Sequence, residues 1–327
     1  MKAITYTKYG PPDVLELKEI EKPTPKDDEV LVRIHAASVN ALDWHYVRGM
    51  PLIARMGLGL GKLKESRIGA DFSGTIEAVG KDVTEFKPGD EVFSARTGAF
   101  AEYVCKVEKT LALKPVNLSF EEAAAVPVAA CTALQGLRDA GQIQSGQKVL
   151  INGAAGGVGT FAVQIAKALG AEVTAVCSTR NVDMVRSLGA DQVIDYTQED
   201  FAQTAQHYDL IFVNAGNRSL SDLRRVLTPN GRLVFNNGGP LSASQGRLLG
   251  PIADRIRIAF IARFASHKMG AFDAAVTKED LLVLKEMIEA GKVKPAIERT
   301  YPLSETAEAV RYLEDGHARA KVVITIA

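Results

Sequence analysis

The sequence predicts an α/β protein in which a doubly wound parallel sheet is joined to a second, mainly β region. Three observations carry that expectation. Between residues 148 and 236, short apolar runs alternate with amphipathic stretches, the rhythm of parallel strands covered by helices. A glycine-rich segment, INGAAGGVGT at 151–160, sits where the first of those strands hands over to the first helix. The first third instead alternates with period two, as half-buried strands do.

At 327 residues the chain is long enough for two domains with a substantial core. Hydrophobic residues make up 46% and charged residues 24%, a globular mix. Lysine plus arginine and aspartate plus glutamate both number 39. That balance gives no electrostatic footprint for nucleic acid or an anionic membrane. Cys105, Cys131 and Cys177 are widely spaced and form no C-x-x-C pair. A disulfide framework and a cysteine-rich zinc lobe are therefore not expected, and a reducing, cytoplasmic location is the default. The N-terminal residues carry neither an apolar signal core nor an arginine-rich presequence, and no apolar run reaches the length of a membrane span.

Taken in order, residues 29–35 read as a strand with Val30, Val32 and Ile34 on one face, and 74–80 and 90–93 as further strands. Pro23 and Pro25 break an early connection, and Lys87-Pro88-Gly89-Asp90 forms a turn. Residues 55–67 superficially resemble a phosphate loop. Their spacing is wrong for one, and Leu63 stands where a hydroxyl would bind magnesium, so the segment is a surface loop or a lid. Ser119 and Glu122 make a capping box. Strands follow at 148–152, 172–177, 192–195, 208–214 and 231–236, with helices at 158–169, 181–188 and 218–227. Gly170, Gly189 and Gly231 sit where helices should stop. In the tail, Thr277 caps a helix running to Gly291, Ser304 caps one running to Gly316, and 321–326 is a last strand. A βαβ domain is complete without this tail, so the tail packs with the first third.

The helix after the glycine-rich turn places Val158, Phe161, Ala162, Ile165, Ala166 and Leu169 on one face. Its N-terminus therefore points away from the strand. The first amides of a helix lack internal partners and carry partial positive charge, so a phosphate is stabilised there if no side chain blocks it. Ala154-x-Gly156-x-x-Gly159 is a close variant of the dinucleotide fingerprint, and Ala155, Gly156, Gly157 and Val158 are its expected diphosphate contacts. The alternative is a tight turn that binds nothing.

The second strand ends Cys177-Ser178-Thr179-Arg180 with no acid for the ribose hydroxyls of NAD. Ser178 can bond a 2′-phosphate and Arg180 can neutralise it, which favours NADPH. Arg180 is otherwise a solvated charge at a helix start. Tyr196 can lie along the adenosine, or is an ordinary half-buried tyrosine.

Together, Gly69-Ala70-Asp71-Phe72-Ser73-Gly74, Lys87–Asp90, Gly98-Ala99-Phe100-Ala101-Glu102-Tyr103, Ala123-Ala124-Ala125-Val126-Pro127 and the AAGGVG turn resemble the medium-chain dehydrogenase/reductase superfamily. Their order is similar to its zinc-free quinone oxidoreductase branch. The resemblance implies a GroES-like substrate domain from residues 1–123 and 270–327, with a Rossmann NADP-binding domain, 124–269, inserted and a cleft where they meet. It implies cofactor contacts at Thr132, at Ala215 and Gly216, and at Gly238, the last three following strand ends. It also implies a homodimer. Zinc-dependent relatives carry Gly-His-Glu at 69–71, a cysteine at 40 and a third ligand near 128. Here Asn40, Ala70 and Val128 stand there, so no zinc is expected. His45 beside Asp43 is the best remaining metal lure, with no third ligand in sight.

Without a metal to hold an alkoxide, a quinone or α,β-unsaturated carbonyl is the better acceptor, because hydride added at carbon leaves a charge delocalised onto oxygen. The resemblance draws the donors from residues 38–49, with Asn40 first and Tyr46 second. Asp43 is expected to anchor that segment, and Trp44 is either core or aromatic wall. No strong general acid is evident, so solvent can supply the proton. Two other readings stay open: reduction of other carbonyls on the same fold, and an NADPH-binding scaffold or sensor with little turnover.

Overall fold

Strand alternation near residue 30 and an apolar run near residue 323 turn out to be two parts of one sheet. A computed structural model of the protein describes residues 1–50, 55, 63, 66–215, 218–236, 268–316 and 318–326. In chain order the strands are β1 (Lys2–Tyr6), β2 (Glu16–Glu19), β3 (Glu29–Val39), β4 (Ser66–Arg67), β5 (Asp71–Val79), β6 (Glu91–Ala95), β7 (Tyr103–Val107) and β8 (Ala112–Leu113). They continue as β9 (Lys148–Asn152), β10 (Glu172–Cys177), β11 (Gln192–Asp195), β12 (Tyr208–Val213), β13 (Leu227–Asn236), β14 (Lys268–Phe272), β15 (Ile297–Pro302) and β16 (Lys321–Thr325). The helices are α1 (Ala41–Arg48), α2 (Phe120–Ala124), α3 (Pro127–Gln135), α4 (Gly157–Ala168), α5 (Val182–Ser187), α6 (Leu220–Arg225), α7 (Lys278–Glu289) and α8 (Thr306–Glu314). The chain divides into two compact units. One comprises Met1–Cys131, Val276–Gly291 and Pro295–Ala327; the other comprises Thr132–Ala275 and Lys292–Lys294.

In the first unit the strands lie in the order β15-β16-β3-β5-β6-β8, β7 also pairs with β3, and β2-β1-β4 form a separate small sheet. The tail strands β15 and β16 thus join the sheet of the first third, while Lys292–Lys294 group with the second unit. Val30, Val32 and Ile34 are fully buried, as the period-two reading demands, and pack with Phe72, Val92 and Val322. Burying each such side chain is worth about 1.5–3 kcal/mol. The 119–122 capping box is present, with Glu122 N donating to Ser119 Oγ at 3.2 Å and Ser119 N to Glu122 Oε2 at 3.0 Å. Thr277 Oγ1 likewise accepts from Asp280 N at 3.2 Å to start α7. Ser304 does not cap a helix. It lies inside a 3-10 turn, Leu303–Glu305, and α8 begins at Thr306, because the chain leaves β15 already turning.

The second unit is a six-stranded sheet in the order β11-β10-β9-β12-β13-β14, every neighbouring pair parallel. In this unit's own count that is 3-2-1-4-5-6, the Rossmann order, which reverses direction at its first strand. α4 buries Phe161, Ala162, Ile165 and Ala166 of the expected face completely, but Val158 and Leu169 are half-buried and Thr160 and Val163, off that face, are buried too, so the helix is covered on more than one side. The helix expected at 181–188 is a 3-10 turn, Thr179–Asn181, followed by the shorter α5, and β13 starts four residues before its expected position. Residues 56–62, the centre of the loop-or-lid segment, lie outside the described residues. Among the described residues no helix is long and apolar enough to cross a membrane. All three cysteines are free and buried.

Candidate functional site

Two clusters of chemistry emerge, one in each unit. In the first, antiparallel register does the assembly. β3 pairs Ser38 with Asp71 on one side and Val39 with Val322 on the other. The end of β3, the start of β5 and the start of β16 therefore meet, and with them Ser38, Asn40, Asp71 and Lys321. All four are buried, Asp71 and Ser38 completely.

The hydrogen bonds in this cluster are complete. Asp71 Oδ2 accepts from Ser38 Oγ at 2.8 Å and Asn40 Nδ2 at 2.9 Å, and lies 3.4 Å from Lys321 Nζ. Asp71 Oδ1 accepts from Val128 N at 2.9 Å, in the first turn of α3, where a carboxylate suits the unpaired helix amides. The Lys321 ammonium also donates to Asn40 Oδ1 at 2.7 Å and Val39 O at 3.2 Å, so its three donors meet three acceptors. Burial pulls the Lys321 pKa down, and the Asp71 and Asp43 charges push it back up.

Asp43 does anchor the 38–49 segment. Its Oδ2 accepts from Asn40 N at 2.7 Å, and Gly69 N is a second backbone donor. Gly69 holds φ +98°, and a Cβ there would fall 2.6 Å from Phe100 N, so only glycine brings this amide in. Desolvation nevertheless dominates and pushes the Asp43 carboxyl up to about 7, with Asp71 adding to the rise. Trp44 stacks on His45, ring centroids 3.7 Å apart, and packs on the core of this unit. Tyr46 is half-buried on α1. Tyr6, in the field of Tyr9, Tyr46 and Asp43, is pushed up to about 12, chiefly by burial.

The structure changes one expectation. Asn40 is not a free donor. One amide hydrogen goes to Asp71 and the other to the Ser38 carbonyl at 3.3 Å, a long and weak contact.

Asn40 and Val128 meet at Asp71, the neighbour of Ala70, and the chemistry gathered there is an amide, a carboxylate already serving four donors, and a backbone N–H. That donor set does not fit zinc, which is held by three or four thiolate, imidazole or carboxylate ligands. Among the described residues no three His, Cys, Asp or Glu side chains group as a metal site. His45 is flanked by Trp44, and its buried Nδ1 has no partner.

In the second unit residues 155–158, Ser178, Arg180, Tyr196 and Ala215 follow the carboxyl ends of β9, β10, β11 and β12. Three glycines of the turn have three different jobs. Gly153 holds φ +83°. A Cβ on Gly159 would sit 2.1 Å from Gly153 O, so this glycine lets α4 approach β9. A Cβ on Gly156 would meet only Gly153 O at 3.7 Å, so this position is open. Gly156 is the N-cap of α4 and supplies no capping side chain. The first residues of α4, Gly157 and Val158, follow directly, and the first amides of a helix have no partner within it. Ala155 lies buried beside it.

Ser178 and Arg180 leave the end of β10, and Tyr196 leaves the end of the adjacent β11. Arg180 is exposed, and Tyr196 is 45% exposed. Ser178 Oγ accepts from Asn181 Nδ2 at 3.1 Å. Sequence reasoning missed Asp195, which accepts from Thr179 Oγ1 at 2.6 Å, Thr197 Oγ1 at 2.8 Å and Gln198 Nε2 at 3.0 Å. The Thr179 bond leads these neutral donors in holding its pKa below the ordinary value. Asp195 so ties down the turn that carries Ser178 and Arg180. Thr132 is buried on α3. Ala215 follows β12, and its carbonyl accepts from Asn152 Nδ2 at 3.0 Å. Gly216 and Gly238 lie outside the described residues.

Comparison with known proteins identifies the family of the fold. The family described as "Alcohol dehydrogenase GroES-like domain" matches residues 26–163, and "Zinc-binding dehydrogenase" matches 188–324. The chain is 34% identical to the NADPH-dependent alkenal/one oxidoreductase, chloroplastic, of Arabidopsis thaliana, over 99% of this chain and 79% of that one. Among solved structures, the quinone oxidoreductase from Coxiella burnetii is 31% identical with a TM-score of 0.86, covering 100% of this chain and 99% of that one. An NAD-dependent alcohol dehydrogenase is 31% identical with a TM-score of 0.85, covering 100% of both.

Proposed function

The chain belongs to the medium-chain dehydrogenase/reductase superfamily, in its quinone oxidoreductase branch, and from that premise we propose that it is a zinc-independent, NADPH-dependent reductase of quinones or α,β-unsaturated carbonyls. The observation that carries the reading is the charge-neutralised amide–carboxylate–ammonium cluster at Asn40, Asp71 and Lys321. It holds one N–H of Asn40 only by the long contact to Ser38 O, and that N–H is the donor it can turn to a developing oxyanion.

A dihydronicotinamide held here would supply the hydride, and the acceptor would be one whose oxygen can take up the displaced electron pair. The chain's own residues do the rest. Gly156, Gly157 and Val158 present amides to the diphosphate, with Ala155 alongside. Ser178 and Arg180 take the 2′-phosphate, Tyr196 lies along the adenosine, and Thr132, Ala215, Gly216 and Gly238 complete the cofactor contacts. The weakly held N–H of Asn40 and the hydroxyl of Tyr46 bond the oxygen that gains charge, and solvent returns the proton. The same reading places the protein in the cytoplasm, as a homodimer built on the sheet edge at β14. Elution at twice the mass of one chain checks the last point.

NADPH oxidation against a panel of quinones, enones, saturated ketones and aldehydes tests the reading, with and without chelator. Turnover of quinones or enones, unaffected by chelator, is the expected result. Loss on chelation with restoration by zinc overturns the metal-free reading. A second reading, an alcohol or carbonyl oxidoreductase, is favoured by the likeness to an NAD-dependent alcohol dehydrogenase. It predicts turnover of saturated carbonyls with NADH. Tight NADPH binding with no acceptor turned over would make the protein a scaffold or sensor.

A further inference from the structure

A lysine buried to 3% exposure is an expensive side chain to keep. Its ammonium loses hydration worth several kcal/mol, and a hydrophobic residue of similar length is often as stabilising in such a place. Lys321 cannot be explained by Asp71 alone. The ion pair spans 3.4 Å, the longest of its three contacts, whereas its shortest is to the neutral Asn40 Oδ1, at 2.7 Å.

We infer that Lys321 is a positioning residue for Asn40: its ammonium fixes which way the Asn40 amide faces, so that one N–H is locked on Asp71 and the other stays on the long, exchangeable contact to Ser38 O. The chemistry makes that orientation unique. An ammonium only donates, so it selects the amide oxygen, and Asp71, with four donors around it, selects the amide nitrogen. A flipped amide would set N–H against N–H and oxygen against carboxylate. The remaining N–H is the only part of the amide in a weak bond, at 3.3 Å, and so the only part that can be handed to a substrate oxygen. Register fixes the lysine in turn. It is the first residue of β16, and its successor Val322, fully buried, pairs with Val39, one residue before Asn40. The inference rests on the proposed role of Asn40 as a donor to the developing oxyanion.

A double-mutant cycle on the full chain tests it, reading kcat with a quinone or enone acceptor and Kd for NADPH by nucleotide fluorescence. Lys321→Met is expected to lower kcat on the order of tenfold to a hundredfold, the cost of misplacing one reacting contact, with NADPH affinity unchanged. In an Asn40→Ala background the same substitution is expected to lower kcat no further. Equal losses in both backgrounds overturn the inference and leave the role of Asn40 standing. An Asn40→Ala protein with wild-type kcat removes the Asn40 reading itself, and the inference with it. If Lys321→Met does not fold, Lys321→Met/Asp71→Asn removes both charges together and leaves no lone buried ion, and it is read against Asp71→Asn alone so that the carboxylate's own hold on Asn40 is subtracted. The same comparison with and without Asn40→Ala then decides. A purely structural lysine would change the melting temperature in every background and show no such coupling in kcat.

Discussion

At the scale of single residues, Asp43 and Arg180 show what burial does to a charge. Asp43 is almost fully buried, and its carboxyl is pushed from an ordinary 3.8 up to about 7. Between those values the folded protein keeps a proton that the unfolded chain has released, so this group lowers stability as pH rises from about 4 to about 7. His35 and His45, both lowered chiefly by burial, work in the opposite direction as pH falls through their unfolded range. The contrast with Asp43→Asn isolates the carboxyl. In urea titrations the wild type is expected to lose stability relative to Asp43→Asn as pH climbs through that window, and a pH-independent difference would remove the argument. Arg180 is exposed, so its contribution is modest and salt-sensitive. Arg180→Ala is expected to weaken NADPH by about tenfold, or about 1.4 kcal/mol, at low salt, and NADH hardly at all. Equal weakening would place the arginine elsewhere than on the 2′-phosphate.

At the scale of elements, the β9–α4 turn separates two glycines that look alike in sequence. Gly156→Asp puts a carboxylate at a helix N-cap whose φ of −80° suits any residue. Thermal stability is expected to hold or rise slightly while NADPH binding is lost, because the side chain occupies the amides and repels phosphate. Gly159→Ala forces a Cβ to 2.1 Å from Gly153 O. It is expected to cost about 1–3 kcal/mol in denaturant unfolding. The sequence made β9, β10 and β11 legible to the residue, because short buried runs there are bounded by glycines and turns. β1 escaped because four of its five residues are buried, leaving no alternation to read. β15 escaped for the opposite reason: its residues are half or fully exposed, and only pairing with β16 makes it a strand. In the site, Asp43 and the glycine turn announced themselves by local spacing. Lys321 did not, since nothing within its neighbourhood of sequence points to Asp71, a partner 250 positions away.

At the scale of the whole molecule, the first unit is closed by the last strand. β16 lies between β15 and β3, and Val322, Val323 and Ile324 are fully buried. Removing residues 321–327 leaves two strands without their partner and opens that core. The shortened chain is expected to lose cooperative unfolding of the first unit and to accumulate as insoluble protein, as read by circular dichroism and fractionation. A soluble chain with native spectra would mean that β3 can close the sheet alone.

The same placement sets an order of assembly on the ribosome. β3 emerges early but waits for a neighbour that is translated near the very end, while the strands β9 to β14 are all out before it. The second unit is therefore ready to fold during translation, and the unit holding Asn40 and Lys321 is completed only after synthesis has reached the final strand.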